Sequence, residues 1–449
     1  MEKSLFRPQG SDVSYGMTTM ALETVGCRLN QSETERLAAE LVNLGFQRVS
    51  YKEKADLYIL NTCTVTGRAD ADCRKLINRA LRLNKDAVMV VTGCYVVSTP
   101  ASVAKIDGVD LLVGNDDKMR LPQIIRDNFP HLFSDLSAIS GAEPRTGKER
   151  RSPNESVFPP NRAMVKIGDG CNQRCSYCIV PLVRGPLLSF PPDGIIGEIR
   201  QLIGEGYHEV VLTAVHIGKY HYDGLDLAGL IDRILAETSL SRLRLSSLEP
   251  NELDDRLLGC VAFNPRVCRH LHLPMQSGSD RILSLMRRPY RRSDYLAVVE
   301  KVKNADADIT VGCDLIVGFP GETERDFSET LSLLDSGYID YGHVFSYSDR
   351  PGTEASGLAG KISPAIIKER NYLAREVGER NRCRQMKSQI GKMLDVISEH
   401  VPHRNVGYFA VSDNYLRVHL PDSIGGGREI LGFKPTRLAG AYLEGDVTS

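Results

Sequence analysis

From residue 20 onward, short apolar runs alternate with amphipathic stretches of helical period. Runs at 20–25, 57–60 and 87–92 read as strands. Stretches at 32–44 and 69–83 read as helices, the first with Leu37, Leu41 and Leu44 at helical spacing. A strand–helix–strand–helix–strand order predicts an open parallel sheet. A second alternation starts at 163. Strands are expected at 163–167, 209–214, 242–246, 269–273, 309–317 and 341–345, with helices at 193–205, 227–238, 280–286, 293–304 and 324–337. Six such units predict a partial (βα)6 barrel. A long basic helix at 364–390 follows. The tail has short β-type runs at 393–397, 405–411, 416–419 and 428–433 with glycine between them, the pattern of a small all-β barrel. The predicted class is α/β with that all-β tail. The expected units are an extension at 1–19, an open-sheet domain at 20–133, a Ser-, Pro- and Gly-rich linker at 134–160, a barrel core at 161–383 and the tail domain at 384–449.

This layout gives meaning to three cysteines. Cys27, Cys63 and Cys94 each stand just past the C-terminal end of a predicted strand. In open parallel sheets those ends share one edge, where ligands bind. Three buried structural cysteines are the alternative. Such cysteines belong inside strands or on apolar helix faces, so the equivalent loop positions favour a shared metal site. Cys73, inside a predicted helix, reads as structural.

Composition narrows the class. The chain has 449 residues, 42% apolar and 25% charged, with a net charge of −1. It has no run of 18 apolar residues and no apolar stretch near its start, so neither a membrane span nor a secretory signal is expected, and a cytoplasmic setting is. Eleven cysteines in a reducing compartment point to metal binding or catalysis rather than to disulfides. A near-neutral chain binds a polyanion only if its basic residues are segregated. The stretch 368–392 has eight Lys and Arg against three Glu, and Arg287, Arg288, Arg291 and Arg292 form a second cluster. On charge alone both read as solvated helix faces.

The most specific signal is Gly168-Asp169-Gly170-Cys171-Asn172-Gln173-Arg174-Cys175-Ser176-Tyr177-Cys178, a C-x3-C-x2-C that follows the first barrel strand. Barrel enzymes place their sites at that face. Structural zinc takes four ligands, and no fourth Cys or His is adjacent. Ferredoxin-type clusters also take four cysteines. Three thiolates on a four-iron cluster leave one iron open to the amino and carboxylate groups of S-adenosylmethionine (SAM).

With an aromatic before its last cysteine, this motif resembles the radical SAM superfamily. The upstream Cys27, Cys63 and Cys94 and the small β tail resemble the methylthiotransferase family, over about residues 18–446. Thr24-Val25-Gly26-Cys27-Arg28-Leu29-Asn30-Gln31, Ala214-Val215-His216-Ile217-Gly218, Leu248-Glu249-Pro250, the stretch 270–279 and Val317-Gly318-Phe319-Pro320-Gly321-Glu322-Thr323 resemble the branch that acts on N6-threonylcarbamoyladenosine in tRNA. Leu182, Leu188, Phe190 and Val96-Val97 depart from the family pattern.

The resemblance implies two 4Fe-4S clusters and SAM as cofactors. Cys171, Cys175 and Cys178 would hold the radical SAM cluster, and Cys27, Cys63 and Cys94 an auxiliary cluster carrying the sulfur to be transferred. It implies that one SAM methylates that sulfur and a second is reductively cleaved to a 5′-deoxyadenosyl radical, which abstracts hydrogen from carbon 2 of the modified adenosine next to the anticodon, where the methylthio group is installed. Isopentenyladenosine in tRNA and a ribosomal-protein aspartate are the alternative substrates within the family, and a non-catalytic iron–sulfur or RNA-binding protein the alternative class. Implied partners are the tRNA anticodon loop, a low-potential electron donor such as flavodoxin or ferredoxin, and a sulfur donor, with no membrane. The tail resembles a TRAM domain, an RNA-binding barrel. Tyr177, Ser247, Glu249, Gln276 and Gly318 are candidate SAM contacts. Arg184 and His216 are candidate substrate contacts.

Overall fold

The computed structural model describes residues 17–134, 162–398, 408–421, 424 and 429–448. The expected extension lies outside these residues apart from 17–19, and the expected linker apart from Ser134.

The first unit is a five-stranded, all-parallel sheet. Its strands are β1 (Thr19–Thr24), β2 (Gln47–Arg48), β3 (Leu57–Thr62), β4 (Val88–Gly93) and β5 (Leu111–Val113), in the order β2-β1-β3-β4-β5. All six residues of β3 and of β4 are buried, as expected where helices cover both faces of a parallel sheet. Helix α1 (Arg28–Asn43) packs Leu37 and Leu41 into one face. Helix α2 (Gly67–Leu83) starts at Thr66, whose side chain accepts the Ala69 amide, and packs Cys73 and Ile77 into the other. Cys94 was expected in a loop. It instead opens α3 (Cys94–Ser98), still directly after β4.

The core strands are β6 (Arg162–Lys166), β7 (Glu209–Thr213), β8 (Arg242–Leu245), β9 (His270–His272), β10 (Thr310–Val317) and β11 (Tyr341–Ser346). They form two three-stranded parallel sheets, β8-β7-β6 and β9-β10-β11. Single parallel bridges, Leu243 to Val267 and Ser247 to His272, join them across β8 and β9. The result is the expected partial barrel, with β6 and β11 as edge strands.

Helix α4 (Val180–Arg184) follows the cysteine loop and packs against the first unit, and the further core helices are α5 (Pro192–Gly204), α6 (Leu227–Glu237), α7 (Asp255–Phe263), α8 (Asp280–Leu285), α9 (Arg292–Ala305) and α10 (Glu324–Leu334). Thr323 and Asp326 form a reciprocal capping box at the start of α10. Helix α7 has no counterpart among the expected elements, although Asp254 caps it by accepting the Leu257 amide.

Helix α11 (Pro364–Ser388) crosses the boundary expected at 383/384 without a break. The tail is a closed barrel of β12 (Leu394–Ser398), β13 (Tyr408–Ser412), β14 (Arg417–Leu420), β15 (Ile430–Ala439) and β16 (Tyr442–Thr448), in the order β12-β13-β14-β16-β15. Closure pairs β15 with β12, leaving no free sheet edge. Strand β16 escaped the sequence reading because its Glu444, Gly445 and Asp446 break the apolar run. No helix among the described residues is long and apolar enough to cross a membrane.

Candidate iron–sulfur and SAM site

The three units meet through polar contacts. Glu33 of α1 is buried and takes Lys118 at 2.6 Å, Lys166 at 2.7 Å and Arg184 at 2.9 Å. Arg184 also donates to Asp169 and to the Asn30 side chain. Burial alone would raise the Glu33 carboxyl, but Lys118, Arg184 and Lys166 outweigh it and hold Glu33 well below the usual carboxylate range. A second clamp runs from Arg350 to Asp70 and to the Thr64 backbone oxygen. The tail barrel docks through Arg244, which donates to the backbone oxygens of Ser412 and Asp413 while paired with buried Glu209.

The joint between the first two units places one cysteine of the first triad beside the segment that follows the second. Cys94 packs with Ile179 and Val183, and Ile179 follows Cys178 directly in the chain. Within the first triad, Cys27 and Cys94 both act electrostatically on Cys63. Within the second, Cys171 and Cys175 act on Cys178. Burial pushes the Cys63 and Cys178 thiols each up to about 12. Binding a metal there would therefore release protons.

Glycines let the chain close over the sulfurs. Gly26, at φ +111°, lies so close to Cys63 that a β-carbon would stand 2.8 Å from its Sγ. Gly170, at φ +65°, faces the Pro186 backbone oxygen, where no side chain fits.

Neighbouring side chains hold individual cysteines. His216 Nδ1 lies 3.5 Å from Cys171 Sγ, and its Nε2 is 2.7 Å from Glu252 Oε1. Burial disfavours the charged imidazole, but the hydrogen bonds to Cys171 and Glu252 outweigh it and raise His216 to about 9. Arg288 donates to Cys175 Sγ at 3.2 Å and pairs with Glu249. Asn115 donates to Cys94 Sγ at 3.6 Å and to the Val183 oxygen at 2.6 Å.

All six cysteines are free thiols. Among the described residues, no three Cys, His, Asp or Glu side chains converge tightly enough for a single metal ion. A four-iron cluster sets its ligand sulfurs apart by its own width, and three thiolates with one open iron is the donor set each triad offers. Ser246 Oγ and Asn115 Oδ1 are buried with no hydrogen-bond partner among the described residues. Both triads fit such a cluster in donor chemistry.

The remaining candidates divide. Glu249 lies at the site through Arg288, and His216 through Cys171. Ser247 is exposed at the end of β8. Gln276 has φ +60° and bonds β10 through its backbone, its amide to Asp314 and its oxygen to Ile316. Tyr177 packs against Ile282, Met286, Phe319 and Ala355, the position of a core aromatic. Gly318 has a different neighbour from the one expected: a β-carbon there would collide with Ile367 of α11, and its amide donates to Glu322. Arg184 is buried and fully engaged between Glu33, Asp169 and Asn30.

Sequence reading missed Arg288, Glu252, Asn115 and the Glu33 network. Arg288 had been grouped with a solvated face; the structure buries it beside Cys175 and leaves Arg287 and Arg291 outside.

The chain is similar to known proteins along most of its length. Residues 19–114 match the family described as Uncharacterized protein family UPF0004, and residues 165–334 match the radical SAM superfamily. The threonylcarbamoyladenosine tRNA methylthiotransferase of Aquifex aeolicus is 36% identical over 84% of this chain and 91% of its own. Its namesake from Bacillus subtilis is 34% identical over 90% of each. The tRNA-2-methylthio-N(6)-dimethylallyladenosine synthase of Moorella thermoacetica is 35% identical over 85% of this chain and 87% of its own. In fold, the chain is similar to the radical SAM methyltransferase TsrM of Kitasatospora setae, with a TM-score of 0.54 and 16% identity over 76% of this chain and 75% of that one.

Proposed function

The chain belongs to the radical SAM methylthiotransferase family, and we propose that it adds a methylthio group to carbon 2 of N6-threonylcarbamoyladenosine at position 37 of tRNA. The observation that supports this most is the packing of Cys94 with Ile179 and Val183, in the segment that follows Cys178. Sulfur insertion needs a radical generator next to a sulfur carrier. The substrate follows from the Aquifex and Bacillus relatives and from the sequence stretches shared with that branch.

In this reading Cys171, Cys175 and Cys178 hold one 4Fe-4S cluster, and Cys27, Cys63 and Cys94 a second. When bound, the clusters and SAM supply the electron, the sulfur and the methyl group. The protein positions and shields. His216, held by Glu252, fixes the orientation of Cys171. Arg288 places positive charge beside Cys175 and directs Glu249. Asn115 ties Cys94 to α4. Ile179 and Val183 keep water from Cys94. Ser247 and Gln276, at strand ends facing this edge, are the further SAM contacts. The tail barrel and the basic face of α11 engage the anticodon arm, and a flavodoxin- or ferredoxin-like protein and a sulfur donor complete the cycle. Leu182 and Leu188 are both exposed apolar groups on either side of Arg184 in the chain.

The test is direct. The reconstituted enzyme, SAM and a low-potential reductant are incubated with tRNA carrying threonylcarbamoyladenosine, tRNA carrying isopentenyladenosine, and the ribosomal-protein substrate of the third branch. Mass spectrometry should find one methylthio group on the first. A gain confined to either other substrate overturns the assignment. Absence of 5′-deoxyadenosine under reduction overturns the enzyme.

A further inference from the structure

The edge strands β6 and β11 of the half barrel do not pair with each other, and arginines from three elements gather near their N-terminal ends. Arg28 opens α1, Arg162 opens β6, and Arg382 lies on α11. They surround two tyrosines, Tyr341 at the start of β11 and Tyr415 in the turn between β13 and β14. Arg28 Nη2 donates to Tyr415 Oη at 2.8 Å, with its Cζ 5.6 Å from the ring centre. Arg162 Cζ is 5.9 Å from the same ring. Arg382 Cζ is 5.8 Å from the Tyr341 ring, and the two tyrosine rings are 6.0 Å apart. Tyr415 also stacks on His270 at 4.3 Å.

Other arginines here are consumed by partners. Arg244, 5.3 Å from the Tyr415 ring, is paired with Glu209. On α11, Arg370 pairs with Glu322 and Arg380 with Asp335. Arg28 and Arg382 form no ion pair among the described residues, and Arg162, which acts on buried Glu209 from a distance, shares that carboxylate with the closer Arg242 and Arg244. The nearby Asp314 is held by His272 at 2.9 Å. Burial raises the Tyr415 phenol, yet Arg28, Arg162, Arg244 and Arg382 outweigh it and lower its pKa, so the local field is positive. Tyr415 also holds φ +65°, an uncommon state for a bulky residue, and one that marks functional positions.

Three half-buried guanidinium groups that close no ion pair among the described residues keep hydrogen-bonding capacity for a ligand anion. A guanidinium fork takes a carboxylate or a phosphate through paired hydrogen bonds, and aromatic faces stack bases. We propose that Arg28, Arg162 and Arg382, around Tyr341 and Tyr415, bind an anionic oxygen group of the RNA substrate: the carboxylate of the threonylcarbamoyl chain or a backbone phosphate. This rests on the RNA reading above and assigns this end of the edge strands to substrate capture.

Fluorescence anisotropy with two anticodon stem-loop RNAs tests it, one carrying N6-threonylcarbamoyladenosine and one with unmodified adenosine. Arg162→Gln and Arg382→Gln of the full chain should each weaken binding of the modified RNA about tenfold, as loss of a charge-assisted hydrogen bond does. Arg162→Lys should recover part of the loss. A carboxylate ligand confines the loss to the modified RNA. A phosphate ligand gives equal loss on both and lowers the salt slope by about one. Unchanged affinity of both Gln variants for both RNAs overturns the site and leaves the RNA reading standing. If the unmutated protein binds neither RNA, that reading falls and the site with it. Thermal melting accompanies each variant. Should Arg162→Gln melt early, Arg382→Gln decides, because among the described residues its side chain makes no hydrogen bond or ion pair and lies over the Tyr341 ring.

Discussion

The two cysteine triads offer the same three thiols and are built in opposite ways. Cys171, Cys175 and Cys178 lie within eight residues of one loop after β6. Their geometry is largely local: the Cys178 amide bonds the Cys175 oxygen at 3.1 Å, and the Gln173 amide bonds Cys171 Sγ at 3.3 Å. Cys27, Cys63 and Cys94 come from three strand ends and meet only because β1, β3 and β4 are parallel neighbours. A local triad survives small shifts between domains, whereas a dispersed one depends on the sheet and on how the sheet docks.

The largest expected effect separates the triads by their chemistry. Anaerobically reconstituted protein should carry about eight irons, from two four-iron clusters. Replacing Cys171, Cys175 and Cys178 with Ala should leave about four and abolish SAM cleavage. Replacing Cys27, Cys63 and Cys94 should also leave about four but retain 5′-deoxyadenosine formation while methylthio transfer is lost. Iron analysis and chromatography of the SAM products read both. Loss of all iron from either variant would mean that the triads form one site.

The same contrast explains what could be read from sequence. The local triad is visible as a spacing, because its ligands and its loop are the same few residues. The dispersed triad is visible only after the strands have been placed, since its cysteines carry no mutual spacing signal. Side chains that position the sulfurs are less legible still. Arg288 reaches Cys175 across 113 residues of chain, and Arg184 reaches Glu33 across 151. No local pattern marks such a pair, and a basic cluster on a helix end looks alike whether it is solvated or buried. Gly318 shows the converse. Its need for glycine was legible, but the neighbour that imposes it, Ile367 of α11, was not. The strands β1, β3 and β4 and the six barrel strands followed from apolar periodicity, whereas the short β2 and β5 at the sheet edges, α7 and β16 did not.

Removing the carboxylate between the units should have the next effect. Glu33→Ala leaves Lys118 buried without its partner and Arg184 with Asp169 and Asn30 only. Breaking a buried pair in this way costs about 3–5 kcal/mol. The exposed pair Arg36–Glu40 on the same helix has side chains 61% and 40% accessible, and Glu40→Ala should cost no more than about 0.5 kcal/mol. Urea midpoints measure both. In Glu33→Ala, methylthio transfer should fall further than SAM cleavage, because the dispersed triad loses its docking while the loop keeps its own geometry. Equal losses in both activities would erase the distinction between the triads.

Acid should open the same joint gradually. Lys118, Arg184 and Lys166 hold Glu33 well below the usual carboxylate range, against the opposing effect of burial. A carboxyl depressed in the folded state stabilises the fold fully above its unfolded value of about 4.3. Below that pH the unfolded chain takes up a proton that the native one does not. Stability then falls by roughly 1.4 kcal/mol per pH unit for this group. By pH 3 that amounts to roughly 2 kcal/mol. The comparison that isolates it is Glu33→Gln, which starts less stable at pH 7 and should lose about that much less between pH 5 and pH 3. Asp326, also held low by Arg281 and Ser279 despite burial, contributes equally to both proteins and cancels. Parallel urea-midpoint curves for the two proteins would place the acid sensitivity elsewhere and leave the joint between the triads indifferent to protons.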